Sequence, residues 1–217
     1  MKVSVENYMG TDLTVVNSAR VSFDKKSDTL TPKDKKLIRY LAENGHWTPF
    51  GHCFIQFRIK APIFVSRQLV KHQVGLVWNE VSRRYVDSIP EFFYPSEWRG
   101  RPADKKQGSS DKIVEINPSG RAGPAMVDDY HHAMQKCLWT YNQLLRRGVS
   151  PEMARMVLPQ STYTEWYWSG SMFAFSRVCN LRCKEDAQQE TREIALQIDE
   201  ECSRLFPVSW TALRKGE

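Results

Sequence analysis

Hydrophobic and polar residues alternate most strictly over Cys53–Ala61, where Ile55, Phe57 and Ile59 are interleaved with Gln56, Arg58 and Lys60. A period of two predicts a half-buried strand. Lys2–Val5 alternates more briefly and predicts another strand, and Thr162–Trp168 a third. Helical spacing dominates elsewhere. Asp12–Ala19 follows Thr11 as a short helix. Thr31-Pro32 pairs a capping residue with a first-turn proline and opens a helix that runs over Lys33–Glu43 and stops before Gly45. Pro62 ends the clearest strand and starts a helix over Ile63–His72. The longest predicted helix is Met126–Arg147, with Met126, Tyr130, Met134, Cys137, Leu138, Tyr141 and Leu144 as its apolar stripe and Gly148 closing it. Ser150-Pro151 starts a short helix to about Leu158. Ser171–Arg182 and Ala187–Leu205 are helical, the latter with Ala187, Ile194, Ile198, Cys202 and Leu205 on one face. Gln73–Arg84 has no period and predicts a loop. Tyr85–Ile89 and Phe92–Tyr94 are expected to be extended. Trp98–Pro124, rich in Gly, Pro, Ser, Asp and Lys, predicts a surface loop or insertion peripheral to any chemistry. The fold expectation is one α+β domain over residues 1–217, with a mixed or antiparallel sheet and helices outnumbering strands.

Composition narrows this picture. Of 217 residues, 41% are hydrophobic and 26% charged, which suits a folded globular chain and excludes a disordered one. No apolar run approaches the roughly 18 residues that a membrane span needs. MKVSVENYMG lacks an apolar signal core, so a cytoplasmic location is expected. The cysteines are Cys53, Cys137, Cys179, Cys183 and Cys202. Their odd number and irregular spacing do not form a disulfide framework, and a reducing compartment suits them. Cys179 and Cys183 fall one helical turn apart, but two thiolates alone make a poor zinc site, and no metal is expected.

The net charge of +6 suits an anionic ligand. It is scattered along the chain rather than interleaved with aromatics, which argues against nucleic acid. Three arginines are embedded in apolar sequence: Arg67 in IFVSRQLV, Arg155 in MARMVLP and Arg182 in VCNLRC. A guanidinium in partly buried surroundings needs an anionic partner. An internal salt bridge, with Glu80 as a natural candidate, would satisfy it. Capture of a phosphate or a polar ring edge would do so equally well. The densest polar segment is Arg67–Tyr85, RQLVKHQVGLVWNEVSRRY, with Lys71 and His72 placed in the last turn of the predicted helix. Its hydroxyl, amide and paired arginines could wrap a nucleotide monophosphate or form a solvated loop. No P-loop, dinucleotide glycine fingerprint or Gly-x-Ser-x-Gly motif is present.

The segment Asn79-Glu80-Val81-Ser82-Arg83-Arg84-Tyr85 resembles the second half of the signature of flavin-dependent thymidylate synthases. That family carries Arg-His-Arg, seven residues, then Ser. Here the first half departs, as Lys71-His72-Gln73 followed by eight residues and then Ser82. The resemblance extends over nearly the whole chain outside Trp98–Pro124. Ala19-Arg20-Val21-Ser22-Phe23 is similar to the family's N-terminal motif. Gly45-His46-Trp47-Thr48-Pro49-Phe50-Gly51-His52 is similar to its Gly-His-x-Thr-Pro-Phe-x-His, and Ala61–Gln68 to the run into the signature. Ala154–Pro159 and Asn180-Leu181-Arg182 match its C-terminal half.

The resemblance implies an α+β homotetramer with active sites shared between subunits. It implies FAD as cofactor, and dUMP methylated to dTMP with methylenetetrahydrofolate and NADPH as co-substrates. Carried over by position, Gln68, Lys71, Glu80, Ser82, Arg83, Arg84, Arg155 and Arg182 would hold dUMP, with Arg182 polarising the uracil edge as the catalytic group. Ser22, His46, Thr48, Lys71, His72, Gln73 and Glu80 would touch FAD. Ser171 and Phe173 stand where the family commonly places Asn and Arg, and Arg177 and Asp186 replace an Asn and a His, so Ser171 and Arg177 fall on the flavin side. Rival readings are a same-fold pyrimidine nucleotide hydroxymethyltransferase and a catalytically silent nucleotide- or nucleic-acid-binding homologue. Neither a membrane nor a nucleic acid is an expected partner.

Overall fold

The structure, a computed structural model, describes residues 1–86, 88–103, 108–114 and 126–214, with the side chains of residues 126–128 excepted. Eight α-helices and one four-stranded antiparallel sheet lie among these residues, giving the expected α+β class. No described helix is long and apolar enough to cross a membrane. The chain divides into two compact units: Met1–Lys60, Gln68–Asn79 and Trp166–Glu217 form the first, and Ala61–Arg67 and Glu80–Glu165 the second.

The first unit carries most of the sheet. β1 (Lys2–Met9) pairs antiparallel with β2 (Phe54–Pro62), and the strand order continues through β4 (Tyr163–Ser171) to β3 (Leu76–Glu80). The alternation read in β2 has the predicted consequence. Ile55, Phe57 and Ile59 are buried, while Arg58 on the other face is exposed. Phe57 meets Phe175 edge to face at 5.0 Å, and Phe175 meets Trp168 at 5.3 Å. Aromatic pairs of this geometry contribute about 0.5–1.5 kcal/mol each beyond their area burial. α1 (Asp12–Arg20) and α2 (Pro32–Glu43) precede β2. Thr31 caps α2 as predicted, and Asp34 closes the capping box by accepting from the Thr31 backbone N–H at 2.8 Å. Arg20 pairs with the buried Asp34 at 2.5 Å, tying α1 to α2.

After β4 come α6 (Met172–Arg182), α7 (Gln189–Leu205) and α8 (Pro207–Arg214). The predicted α7 face is largely borne out: Ile194, Ile198 and Cys202 are buried. α8 has no counterpart in the sequence reading. Its short length hides its period, and it is held from afar, because Asp12 accepts the Val208 and Ser209 N–H groups at its first turn.

In the second unit, the start of α3 (Ile63–Leu69) is fastened by Ile63 and Phe64 N–H groups donating to the Thr162 and Gln160 carbonyls. α4 (Met126–Arg146) buries Met134 and Tyr141 from its predicted stripe, leaving Tyr130, Cys137, Leu138 and Leu144 half-buried. The Met126 side chain lies outside the described residues. α5 (Pro151–Ala154) continues as a 3-10 turn over Arg155–Val157. The Trp98–Pro124 expectation is only partly a loop. Its described portion contains a small ladder, with Gly100 and Val114 N–H groups donating to the Lys112 and Trp98 carbonyls, and Trp98 packs on Tyr130 at 5.3 Å. Residues 104–107 and 115–124 of that stretch lie outside the described residues. Phe92 is extended, bridging Thr162, whereas Tyr85 sits in a turn closed onto the Ser82 carbonyl.

Two further differences from the sequence reading concern the polar segment. The helix predicted to reach His72 ends at Leu69, so Lys71 and His72 lie beyond it. The loop predicted for Gln73–Arg84 contains β3. Trp78 explains that strand: it stacks on Trp166 at 4.4 Å, a cross-strand anchor that tolerates polar neighbours. The tight passage into β3 depends on two glycines. Gly75 has φ of +76°, and a Cβ on Gly170 of β4 would lie 2.4 Å from the Gly75 carbonyl oxygen. Gly170→Ala must push these backbones apart. The expected cost is about 1–3 kcal/mol, as for other overpacked sites. Thermal unfolding measures it, and an unchanged midpoint would show that the crossing is not tight.

Candidate functional site

The turn after α3 presents Lys71, His72 and Gln73 before Gly75 reverses the chain into β3. It is closed by the His72 N–H donating to the Leu69 carbonyl and the Leu76 N–H donating to the Gln73 carbonyl. Opposite stands α6, capped by Ser171, whose hydroxyl accepts from the Ala174 N–H at 3.2 Å. Ala174 faces Gly75, where a Cβ would approach its own to 3.2 Å. Between turn and helix lies an open cleft of about 190 Å³. Lys71, His72, Gln73 and Arg177 supply its polar lining, and Val74, Leu76, Val178 and Leu181 its apolar lining.

Arg182, one turn beyond Val178, donates from Nε to His72 Nε2 at 3.0 Å. The imidazole therefore accepts at Nε2 and carries its proton on Nδ1. Burial, then the positive charges of Arg182 and Arg177, hold the His72 pKa below its ordinary 6.5. A neutral ring is the consistent state. Among the described residues, neither Arg177 nor Arg182 has a carboxylate partner. The internal salt bridge open from sequence is thus not how Arg182 is satisfied. Glu80, its proposed partner, accepts from Thr164 Oγ1 at 2.7 Å. A half-buried guanidinium, an exposed guanidinium and a lysine around a neutral imidazole make a seat for an anion or an electron-rich ring edge.

Other expected site residues of the first unit have different surroundings. Gln68 donates to Gln188 at 2.5 Å. Ser22 sits on a 3-10 turn over Val21–Phe23, and Thr48 opens another over Thr48–His52; both are exposed. His46 is exposed and stacks on Tyr40 with ring centroids 6.1 Å apart. Trp47 packs against Phe173 at 5.6 Å, a contact that brings the Thr48 turn to the first turn of α6. Sequence reading marks Phe173 only as a departure from the family pattern.

In the second unit, Glu80, Ser82, Arg83 and Arg84 lie together where β3 ends. The Arg84 N–H donates to Ser82 Oγ at 3.4 Å, Arg84 Nη2 donates to the Tyr85 hydroxyl at 2.8 Å, and Arg83 Nη1 donates to the Ser88 carbonyl at 2.5 Å. Arg155 is exposed and donates to the Glu152 carbonyl at 3.3 Å. Its apolar sequence setting misleads, because Met153 and Met156 are exposed too. Arg67 is likewise exposed, on the face of α3 opposite Val65 and Leu69.

These features agree with comparisons to known proteins. A family model described as "Thymidylate synthase complementing protein" matches residues 4–208. A flavin-dependent thymidylate synthase of Thermosipho africanus is 38% identical over 96% of this chain and 90% of its own length. That of Kosmotoga olearia is 38% identical over 94% and 86%, and one from Thermus thermophilus is 34% identical over 98% and 75%. Among solved structures, the UMP/dUMP methylase PolB of Streptomyces cacaoi, bound with 5-Br dUMP, superposes with a TM-score of 0.81 at 28% identity, covering 97% of this chain and 93% of that one. The fold and the cleft define an α+β protein with a cationic cleft. The chain belongs to the flavin-dependent thymidylate synthase family.

The electrostatics of the cleft can be tested directly. Replacing Arg182 by Gln removes a positive charge from beside His72, so the His72 pKa should rise. Because that pKa is depressed, His72 contributes stability above its unfolded value of 6.5, and that contribution is lost as pH falls through the lower folded value. Imidazole NMR titration of both proteins reads the shift. An unmoved His72 would show that Arg182 does not set its state.

Proposed function

We propose that this protein converts dUMP to dTMP, with FAD as cofactor, methylenetetrahydrofolate as one-carbon donor and NADPH as reductant. The observation that carries this reading is Arg182: half-buried, hydrogen-bonded to a neutral imidazole, and without a carboxylate among the described residues. A charge held this way lacks its counterpart until a ligand arrives. The names of the relatives supply the ligand class, since the family is flavin-dependent and a structural neighbour was solved with a pyrimidine nucleotide.

The cleft fits the cofactor in its donor chemistry. Lys71, Gln73 and Arg177 suit the charges of a dinucleotide, and Val74, Leu76 and Val178 suit a flat ring. Ser22, His46, Thr48, His72, Glu80 and Ser171 complete the set assigned to FAD. Bound flavin supplies the hydride chemistry, with NADPH as the source of electrons. The protein's own work is positional and electrostatic. Gln68, Glu80 and Ser82 orient dUMP, and Lys71, Arg83, Arg84 and Arg155 neutralise its phosphate. Arg182 offers a planar, permanently charged donor to the uracil edge, where negative charge grows as the ring is activated. Neutral His72 helps by accepting from Arg182 without adding a competing positive charge, which fixes the direction of the guanidinium. None of the cysteines is assigned a role in the transfer. The active unit is a homotetramer with sites shared between subunits.

Arg182→Lys keeps the charge and loses the planar fork. Loss of one such donor costs about 2.7–4 kcal/mol of transition-state stabilisation, roughly 100- to 1000-fold in rate. The variant should unfold at the wild-type temperature, bind flavin and be reduced by NADPH, yet form dTMP at that lower rate. Product mass from dUMP, flavin absorbance and thermal unfolding are read on one sample. Near-normal dTMP formation by stable Arg182→Lys protein refutes the role, and dUMP binding without any flavin binding refutes the enzyme.

A further inference from the structure

The last turn of α6 carries a second cluster that nucleotide binding does not use. Cys179 and Cys183 stand one turn apart, and Asp199 joins them from α7. The two sulfur atoms and a carboxylate oxygen lie within 4.8 Å of one another. Cys179 is buried and Cys183 half-buried. Asp199 Oδ1 is already engaged, accepting from Trp210 Nε1 and Arg214 Nε, each at 2.8 Å. Arg214 also reaches Asn180. Arg192 of α7 also acts on Cys183, and its buried Nε has no hydrogen-bond partner among the described residues.

One carboxylate against two guanidinium groups leaves a positive charge that a single thiolate balances. The same cations make the cluster a poor seat for a metal ion. The neighbouring Cys179 thiol, helped by Arg214 and Arg192, lowers the Cys183 pKa against the opposing effects of burial and Asp199. Burial pushes the Cys179 thiol well up. One partner is thus suited to attack and the other to resolve. The negative end of the α6 dipole opposes an anion here, but by only about 0.3–1 kcal/mol.

We propose that Cys183 and Cys179 form a peroxide-sensitive thiol pair whose closure to a disulfide reshapes the last turn of α6 and withdraws Arg182 from the nucleotide. The second clause rests on the role given to Arg182 above. The Cys183 thiolate attacks one oxygen of hydrogen peroxide: an S–O bond forms, the O–O bond breaks, and the departing hydroxide takes a proton to become water. The Cys179 thiol then loses its proton and attacks the sulfenic sulfur, releasing a second water. The two sulfurs are oxidised by two electrons together, and the peroxide is reduced. Residues four apart on a helix have Cα atoms about 6 Å apart, inside the range of roughly 4.4–6.8 Å that disulfides span. Cys183 is the C-cap of α6 and is followed by the exposed residues 184–186, so the turn can yield.

The test uses fully reduced protein exposed to stoichiometric hydrogen peroxide, alkylated and digested with trypsin. Cleavage after Arg177, Arg182 and Lys184 places the two cysteines in separate peptides, 178–182 and 183–184. The expected product is these two joined, lighter by two hydrogens than their sum, absent from Cys183→Ser and reversed by dithiothreitol. Oxidised protein should form dTMP roughly 100-fold more slowly, as for a catalytic group displaced by about 1 Å. It should also bind dUMP more weakly, while Cys183→Ser keeps full activity through the same treatment. Cys183 left reduced, or joined to Cys202 instead, overturns the pair. A formed disulfide with unchanged dUMP affinity and turnover overturns the switch. Reduced protein that binds no dUMP at all counts against the nucleotide reading alone, since the linkage is judged by mass.

Discussion

The constraint on which the site depends is the close passage of two backbones at Gly75 and Gly170. β4 must run near enough to the turn before β3 that no Cβ fits at Gly170, and Gly75 must adopt a left-handed conformation to make the turn. This sets the Lys71–Gln73 turn against the start of α6. From there the geometry of α6 does the rest. Its rise of about 1.5 Å per residue carries the chain from Ala174, facing Gly75, to Arg182, facing His72. One backbone crossing and one helix length thus decide where a guanidinium meets an imidazole.

Much of this is legible from sequence because the strongest patterns are local. The alternation of β2, the Thr31-Pro32 cap and the stripe of α7 each reflect an element that buries one face against the same core. β3 is not legible because its signal is a single tryptophan. Trp78 stacks on Trp166, and its neighbours Val77 and Asn79 are exposed. α8 is hidden because its first turn is fastened by Asp12, at the far end of the chain. Hydropathy cannot report a cap supplied from such a distance.

The site residues divide along the same line. Apolar neighbours in sequence suggest burial for Arg67, Arg155 and Arg182, and only Arg182 is partly buried. For Arg155 the neighbouring methionines are themselves exposed. For Arg67 the helix turns the guanidinium away from the buried face. Sequence proximity is a weak guide to burial wherever a turn or a helix rotates consecutive side chains apart. The family motifs mark positions in a fold rather than runs of hydropathy. They could not show that Arg182 rests on His72, since a contact across such a separation leaves no local trace.

That contact bears on the departures from the family signature. Where the family has two arginines flanking the histidine, this chain has Lys71 and Gln73, so the turn itself holds one cation fewer. Arg177 lines the same cleft from α6. A charge removed from the turn is thereby restored from the helix, on the opposite wall of one cavity. Field strength at a ligand depends on distance and dielectric rather than on which element supplies the charge, so the exchange can preserve the attraction for an anion. It also keeps positive charge near His72 and so preserves the neutral imidazole that receives Arg182. Lys71 and Arg177 thus bring positive charge to one cleft, one from the turn and the other from the helix.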